Sequence, residues 1–282
     1  MAWYSLCLAG IVFAVSSLPA VGQWIGYPSR KTPVGRDGKP DLHAKTPRLN
    51  GKPDLSGVWQ IEPPPPGEYE RVFGDAGPGA TAGDDVRTFW KYFFNLLADF
   101  PPDKEPILPS AVAQTAKNRA TLYDTPSSRC LPLALPSRYF NSRPFKIFQT
   151  ADEIAMYYEV DGVFRQIHTD GRPLPKDPFP SWMGYSTGKW AGDTLVVETN
   201  GFNDISWLDQ RGHPHSEKML VTERFHRRDF GHMDIEATVT DPVVLTQPVT
   251  VKFPVDLIPN SDILELFCME GERDRANMAP GK

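Results

Sequence analysis

The strongest constraint on this chain is a change of period. From Pro144 onward, apolar side chains recur at every second position in short runs separated by Gly, Asp and Pro. Successive side chains of a strand point to opposite faces, so this alternation dictates half-buried strands rather than helices. The sharpest turn signal is Asp161-Gly162, between residues 156–160 and 163–167. Both residues tolerate the positive φ that a tight hairpin demands. In that register Ile154, Met156, Tyr158, Val160, Val163, Arg165 and Ile167 share one face, and Tyr157, Glu159, Phe164, Gln166 and His168 share the other. Arg165 is the odd member of an apolar row. Buried there, it needs a carboxylate such as Glu159, Glu198 or Glu223, or else an anionic ligand.

More strands follow from the same pattern. Residues 185–190 turn through Ala191-Gly192-Asp193 into 194–200, and 219–228 turn through 229–232 into 233–240, where Ile235, Ala237 and Val239 alternate with Asp234, Glu236 and Thr238. Residues 55–61, 249–255 and 263–268 are further candidates. About eight to ten strands in a mainly antiparallel meander close most economically into a lipocalin-like barrel without free edges. A two-sheet β-sandwich is the alternative. Ahead of the meander, Asp84 and Asp85 precede Phe89, Trp90, Phe93, Phe94 and Leu97 at near-helical spacing, with Pro101 as a stop. Ser110 then stands as N-cap of a second helix over 111–122. The domain expected is one β-barrel over 54–282 with a helical insertion at 84–122, preceded by a Pro- and Gly-rich extended arm at 23–53.

Residues 1–22 read as a secretory leader: they contain no charged side chain, an apolar run through Leu8, Ile11, Val12 and Phe13, and a small-residue end. Cys7 falls within that leader, which leaves Cys130 and Cys268 as a pair. An even pair in an exported chain reads as a disulfide. Closing a loop of roughly 140 residues contributes on the order of 5 kcal/mol in the chain-entropy account. A periplasmic or secreted protein is therefore expected, with no membrane span once the leader is removed. The balance of 30 basic and 35 acidic side chains, with no basic block, argues against nucleic acid as a partner.

Gly57-Val58-Trp59 on the first strand resembles the Gly-x-Trp signature of calycin (lipocalin-like) barrels. That resemblance implies a Trp plugging the closed end and stacking on an Arg from a late strand, here Arg224 or Arg227. A longer set of motifs comprises Asp-Leu-Ser-Gly-Val-Trp at 54–59, Gly-Arg-Pro-Leu-Pro-Lys-Asp-Pro at 171–178, Gly-Asp-Thr-Leu-Val-Val-Glu-Thr at 192–199, Trp-Leu-Asp at 207–209 and Gly-His-Pro-His at 212–215. Together these resemble a family of exported bacterial proteins with no established activity, which implies a compartment and one undivided domain.

Candidate chemistry concentrates in the connection 203–217, which holds Trp207, Asp209, His213 and His215. At a barrel mouth, His213 or His215 would serve as general base with Asp209 as orienter, while Trp182, Tyr185 and Trp207 grip an apolar or aromatic ligand. The plainer reading is a solvated loop with Asp residues capping turns. His168, beside Asp170 and Arg172, is a further acid/base candidate, and Tyr157 joins the ligand lining if its face turns inward. His213-x-His215 also suggests a metal pair completed by His168 or Glu217, but Glu217 follows too closely, and no metal site is expected there. The chain has no P-loop, Gly-x-Gly-x-x-Gly, His-Glu-x-x-His or Cys-x-x-Cys, so no cofactor is expected. The leading expectation is an exported barrel that binds a small apolar or aromatic molecule in its interior. The alternative is a cofactor-free hydrolase, lyase or isomerase using histidine acid/base chemistry.

Overall fold

The computed structural model describes residues 31–73, 90–121, 125–141 and 143–268. The expected leader, the acidic start at Asp84 and Asp85, and Leu122 lie outside them. A small hairpin of β1 (Arg48–Leu49) and β2 (Lys52–Pro53) precedes nine strands that close into a barrel. These are β3 (Gly57–Ile61), β4 (Phe145–Gln149), β5 (Glu153–Tyr158), β6 (Phe164–His168), β7 (Tyr185–Ala191), β8 (Thr194–Asn200), β9 (Leu220–Arg227), β10 (His232–Thr240) and β11 (Val249–Leu257). Strand order follows chain order, and β11 returns to pair with β3. The fold is thus the mainly-β, lipocalin-like closed barrel that the alternation implies, and not a sandwich.

The anticipated turn at Asp161-Gly162 is present, with φ of +64° and +58°. Met156 faces Arg165 and Tyr157 faces Phe164 across the hairpin. The apolar row points inward: Ile154, Met156, Arg165 and Ile167 are all buried, whereas Tyr157 and Phe164 are exposed. The β10 pattern holds as well, with Ile235, Ala237 and Val239 inside.

Four departures from the sequence reading have identifiable causes. β6 and β7 pair in parallel, through Ile167↔Ser186 and His168↔Thr187, so the sheet is mixed rather than a pure meander. A parallel step needs a crossover, and the Pro-rich residues 169–184 provide it. Residues 263–268 do not form a strand; only Leu266 makes an isolated bridge, to Val160. The Phe/Trp-rich segment after residue 89 forms a single helical turn, α2 (Lys91–Phe94), where a longer helix was expected. It stops because the Asp209 carboxylate accepts from Leu96 N–H and the Asn95 side chain accepts from Leu97 N–H, diverting the backbone. Finally, α3 (Pro109–Ala120) begins one residue before Ser110, with Pro109 rather than a capped Ser110 opening the helix. An unanticipated helix, α1 (Glu68–Phe73), completes the α-helices among the described residues, beside 3-10 turns at Ser127–Arg129 and Ser137–Phe140.

The middle of the barrel, where the sequence led us to expect a ligand, is occupied by protein instead. Residues 131–140 run inward and end in a 3-10 turn, Ser137–Phe140, whose Tyr139 and Phe140 are buried. Tyr139 packs on Phe145 and Phe253, and Phe140 packs on Phe253 at 4.9 Å and on Tyr92 at 5.3 Å. A small barrel filled by side chains gains about 1.5–3 kcal/mol for each large apolar residue taken out of water. Cys130 and Cys268 form a disulfide that fastens the foot of this plug to the C-terminal run. No helix among the described residues is long and apolar enough to cross a membrane.

At one end of the barrel, Trp59 is fully buried and donates its indole N–H to Leu55 O. The Arg227 guanidinium stands 4.8 Å from its ring. Arg227 also donates to the carbonyls of Asp54, Asp229 and Phe230. Gly57, two residues before Trp59, has φ +148°, and a Cβ there would come within 2.4 Å of Leu257. That backbone angle is one L-residues rarely adopt, which is why glycine stands here at the start of β3.

Candidate functional site

The crossover 169–184 lies against the barrel wall because glycines permit it. At Gly201, with φ +70°, a Cβ would meet Pro178 Cγ at 2.3 Å. At Gly184, with φ +65°, it would meet Asn200 O at 2.6 Å. Ser181 N–H donates to Gly201 O, Asn203 N–H donates to Ser181 O, and Asn200 Nδ2 donates to Pro175 O. The crossover is therefore sewn to the end of β8.

Parallel pairing engages only the last two residues of β6, and the crossover diverges from its first half. The gap is a groove of ≈390 Å³ lined by Phe164, Gln166, His168, Trp182, Met183 and Tyr185, among others. The His168 ring leans on Tyr185 at 5.1 Å. Arg172 donates to the Tyr185 hydroxyl at 3.2 Å and is itself gripped by Asp170. The rim is consequently aromatic and polar together, a composition suited to a flat ligand with a polar edge.

Beneath the groove lies a closed polar network. Arg165 Nε donates to Ser186 Oγ at 3.0 Å, Nη1 to Tyr139 Oη and Glu223 Oε1, both at 3.2 Å, and Nη2 to Thr199 Oγ1 at 2.7 Å and to Glu223 Oε2. Tyr139 Oη donates to Glu223 Oε1 at 2.7 Å. A guanidinium has five N–H groups, and all five have partners here. Burial works against the Arg165 charge, but the Glu223 carboxylate together with the neighbouring Tyr139 and Tyr158 phenols outweighs it and holds the guanidinium protonated far above the usual range. Burial and the Glu223 charge push the Tyr139 phenol well up, so it stays a neutral donor. Of the three carboxylates the sequence offered Arg165, the fold selects Glu223, because β9 places it on the inner face opposite β6.

The connection 203–217 forms a second cluster. His213 Nδ1 lies 2.6 Å from Asp209 Oδ2, and Nε2 lies 3.5 Å from Glu105 Oε2. Both His213 and Asp209 are 1% exposed. Burial alone would lower the His213 pKa, but the Asp209 hydrogen bond and the charges of Asp209 and Glu105 raise it overall. Asp209 also accepts from the backbone N–H of Leu96 and Arg211, and Asn118 Nδ2 donates to Gly212 O. This cluster clamps the helical insertion to the loop. His215 is buried separately, with Nε2 2.8 Å from Ser206 Oγ, and burial lowers its pKa so that the ring is neutral.

The residues nominated from sequence thus separate into groups. His168, Trp182, Tyr185 and Arg165 meet at the groove. Asp209 and His213 pair away from it, with His215 nearby in the same loop. Trp207 is half-buried and forms a bridge with Pro214 that closes that loop. Tyr157 sits outside the barrel, 43% exposed, between Phe148 and Phe164. Sequence reasoning missed Glu105, Tyr139, Ser186 and Thr199. Apart from Ser186, which is the serine of the run Gly184-Tyr185-Ser186-Thr187-Gly188, no local pattern marks them, since each meets its partner through long-range closure.

Fold and site together define a class: a closed, mixed, nine-stranded barrel with a filled interior and an aromatic groove on its outer wall. No family model matches the chain, and no curated protein matches it either.

Proposed function

We propose that this protein is an exported binder of a small aromatic or apolar molecule, which lies in the groove beside β6 between Trp182, Tyr185 and His168. The observation that carries this reading is convergence: Trp182 and Tyr185, from beyond the crossover, join Phe164, Gln166 and His168 of β6 in lining one groove at the parallel junction of the barrel. A volume of ≈390 Å³ lies within the range of about 300–1,000 Å³ usual for small-ligand sites. The disulfide supports export, since such bonds persist in oxidising compartments. The placement of Trp59 under Arg227 supports kinship with calycin barrels, and the motif set supports membership of the exported bacterial family.

Screening the purified protein against a panel of small aromatic acids, phenols and indoles by calorimetry tests the proposal. Saturable one-to-one binding is expected, weakened by about tenfold or more in Trp182→Ala, a loss of ~1.4 kcal/mol. Absence of any saturable ligand, or equal affinity in Trp182→Ala and Tyr185→Ala, would overturn it.

A second reading is favoured by the 2.6 Å contact between Asp209 and His213. In it the pair is an acid/base dyad that works when the insertion carrying Glu105 moves aside. His213→Ala would then lower turnover of a hydrolysable substrate by about 10²–10⁴ while leaving binding intact. Undiminished turnover in that variant would exclude this second reading.

A further inference from the structure

The N-terminal strap crosses the turn between β9 and β10, and at that crossing three metal-ligating side chains come together. Phe230 N–H donates to Ala44 O at 2.8 Å and Gly231 N–H to Leu42 O at 2.7 Å, so the backbone on both sides of His43 is pinned to the turn. Contact is tight: a Cβ at Gly231 would lie 2.5 Å from Leu42 Cβ. His43 is thereby laid over His232, ring centroids 4.8 Å apart and planes inclined by 23°. Asp229 stands between them, with Oδ2 3.4 Å from His43 Nδ1 and Oδ1 2.6 Å from His232 Nδ1.

We propose that His43, Asp229 and His232 bind a divalent transition-metal ion of the Zn²⁺ type, which staples the strap to the β9–β10 turn. The ligand atoms of the three residues all lie within 4.8 Å of one another. In a tetrahedral zinc site, bonds of about 2.0–2.2 Å separate neighbouring ligand atoms by roughly 3.4 Å. The His43–Asp229 pair already has that spacing. The His43 side chain is 84% exposed, so it can adjust, and the open side leaves a coordination position for water. Two imidazoles with one carboxylate select a borderline cation over Ca²⁺ or Mg²⁺, which prefer oxygen shells.

A second observation points to the same ion. Asp256, whose side chain is 43% exposed and which also meets Glu62, turns its Oδ1 inward to 3.9 Å from His232 Nε2. Asp229 and Asp256 therefore flank both nitrogens of His232, although a neutral imidazole has only one N–H. A metal ion on Nδ1 fixes the proton on Nε2, where it faces Asp256. Carboxylates placed behind a ligating histidine in this way orient the ring and raise its basicity. Asp229 Oδ1 also accepts from Gly231 and His232 N–H, so the turn holds this carboxylate in place before any ion arrives.

The test uses the full chain, stripped with chelator and titrated with ZnCl₂ by calorimetry, alongside amide exchange with and without Zn²⁺. One equivalent should bind, and exchange at Phe230 and Gly231 N–H should slow. His43→Ala, an exposed position where folding is not at stake, should weaken binding by about tenfold or more, as should Asp229→Asn. Asp256→Asn should weaken it by about 10–100-fold through ring orientation. His226→Ala, at an exposed histidine outside the cluster, should leave it unchanged. Absence of a one-equivalent site, or unaltered zinc affinity in His43→Ala, would overturn the proposal. Co²⁺ substitution gives an independent readout, since an intense tetrahedral absorption band in the wild type should vanish in His43→Ala.

Discussion

Arg165 and Glu223 form an ion pair at the heart of the barrel, with side chains only 1% and 0% exposed. Removing one member leaves a buried charge without its counter-ion, so Arg165→Met should cost about 3–5 kcal/mol in urea unfolding. Arg165→Met combined with Glu223→Leu should recover much of that loss, because neither charge then remains to be desolvated. A double variant as unstable as the single one would show that the hydroxyls of Tyr139, Ser186 and Thr199, and not the charges, dominate the network.

Arg227 joins a stacked ring and three carbonyl acceptors in one planar fork. Burial lowers its pKa to about 10, with Asp54 and Asp229 opposing only in part. An ammonium cannot reproduce that fork, so Arg227→Lys should cost about 2 kcal/mol and move the denaturation midpoint accordingly. An unshifted midpoint would mean the contact with Trp59 contributes nothing to stability.

His213 and His215 should shape the pH dependence of stability in opposite directions. The His213 pKa is raised in the fold, so its contribution is complete below the unfolded histidine value near 6.5 and is lost as pH rises through the folded value. The His215 pKa is lowered, so its contribution is present above about 6.5 and is lost as pH falls through the folded value. Stability measured from pH 5 to pH 9 should lose its alkaline decline in His213→Gln and its acidic decline in His215→Gln. Parallel profiles for the two variants would contradict these assignments.

Gly201→Ala tests whether the crossover builds the groove. The added methyl collides with Pro178 at a backbone angle that L-residues resist, a strain of about 1–3 kcal/mol. Amide exchange at Ser181 and Asn203 should accelerate, and ligand affinity should fall with it. The same exchange rates as wild type would place the groove's integrity elsewhere.

Reduction of the Cys130–Cys268 bond should lower stability by up to about 5 kcal/mol, the chain-entropy limit for so long a loop. A comparison of Cys130→Ser/Cys268→Ser with wild type by denaturant titration gives the value. Equal stability would show that the plug and the C-terminal run are held by packing alone.

Much of the barrel could be read locally. The Asp161-Gly162 hairpin, the inward row from Ile154 to Ile167 and the β10 alternation depend on neighbours within a few residues, where side-chain period reports directly on burial. The Trp59 partner was narrowed to two arginines, and the late-strand geometry chose Arg227. By contrast, Ser110 looked like a helix cap, and Pro109 pre-empted it. The run 263–268 has strand-like residues but makes only the bridge from Leu266 to Val160, since β11 already closes on β3.

The sequence by itself determined the β class, the single pairing open to Cys130 and Cys268, and which residues alternate between core and surface. Only the tertiary structure decided that β6 meets β7 in parallel, that Tyr139 and Phe140 fill the interior, that Glu223 is the carboxylate for Arg165, and that Glu105 closes over His213. The division has one physical cause. Periodicity records how each strand divides its own two faces, whereas these partnerships join residues far apart in the chain and exist only once closure of the barrel has fixed which faces meet.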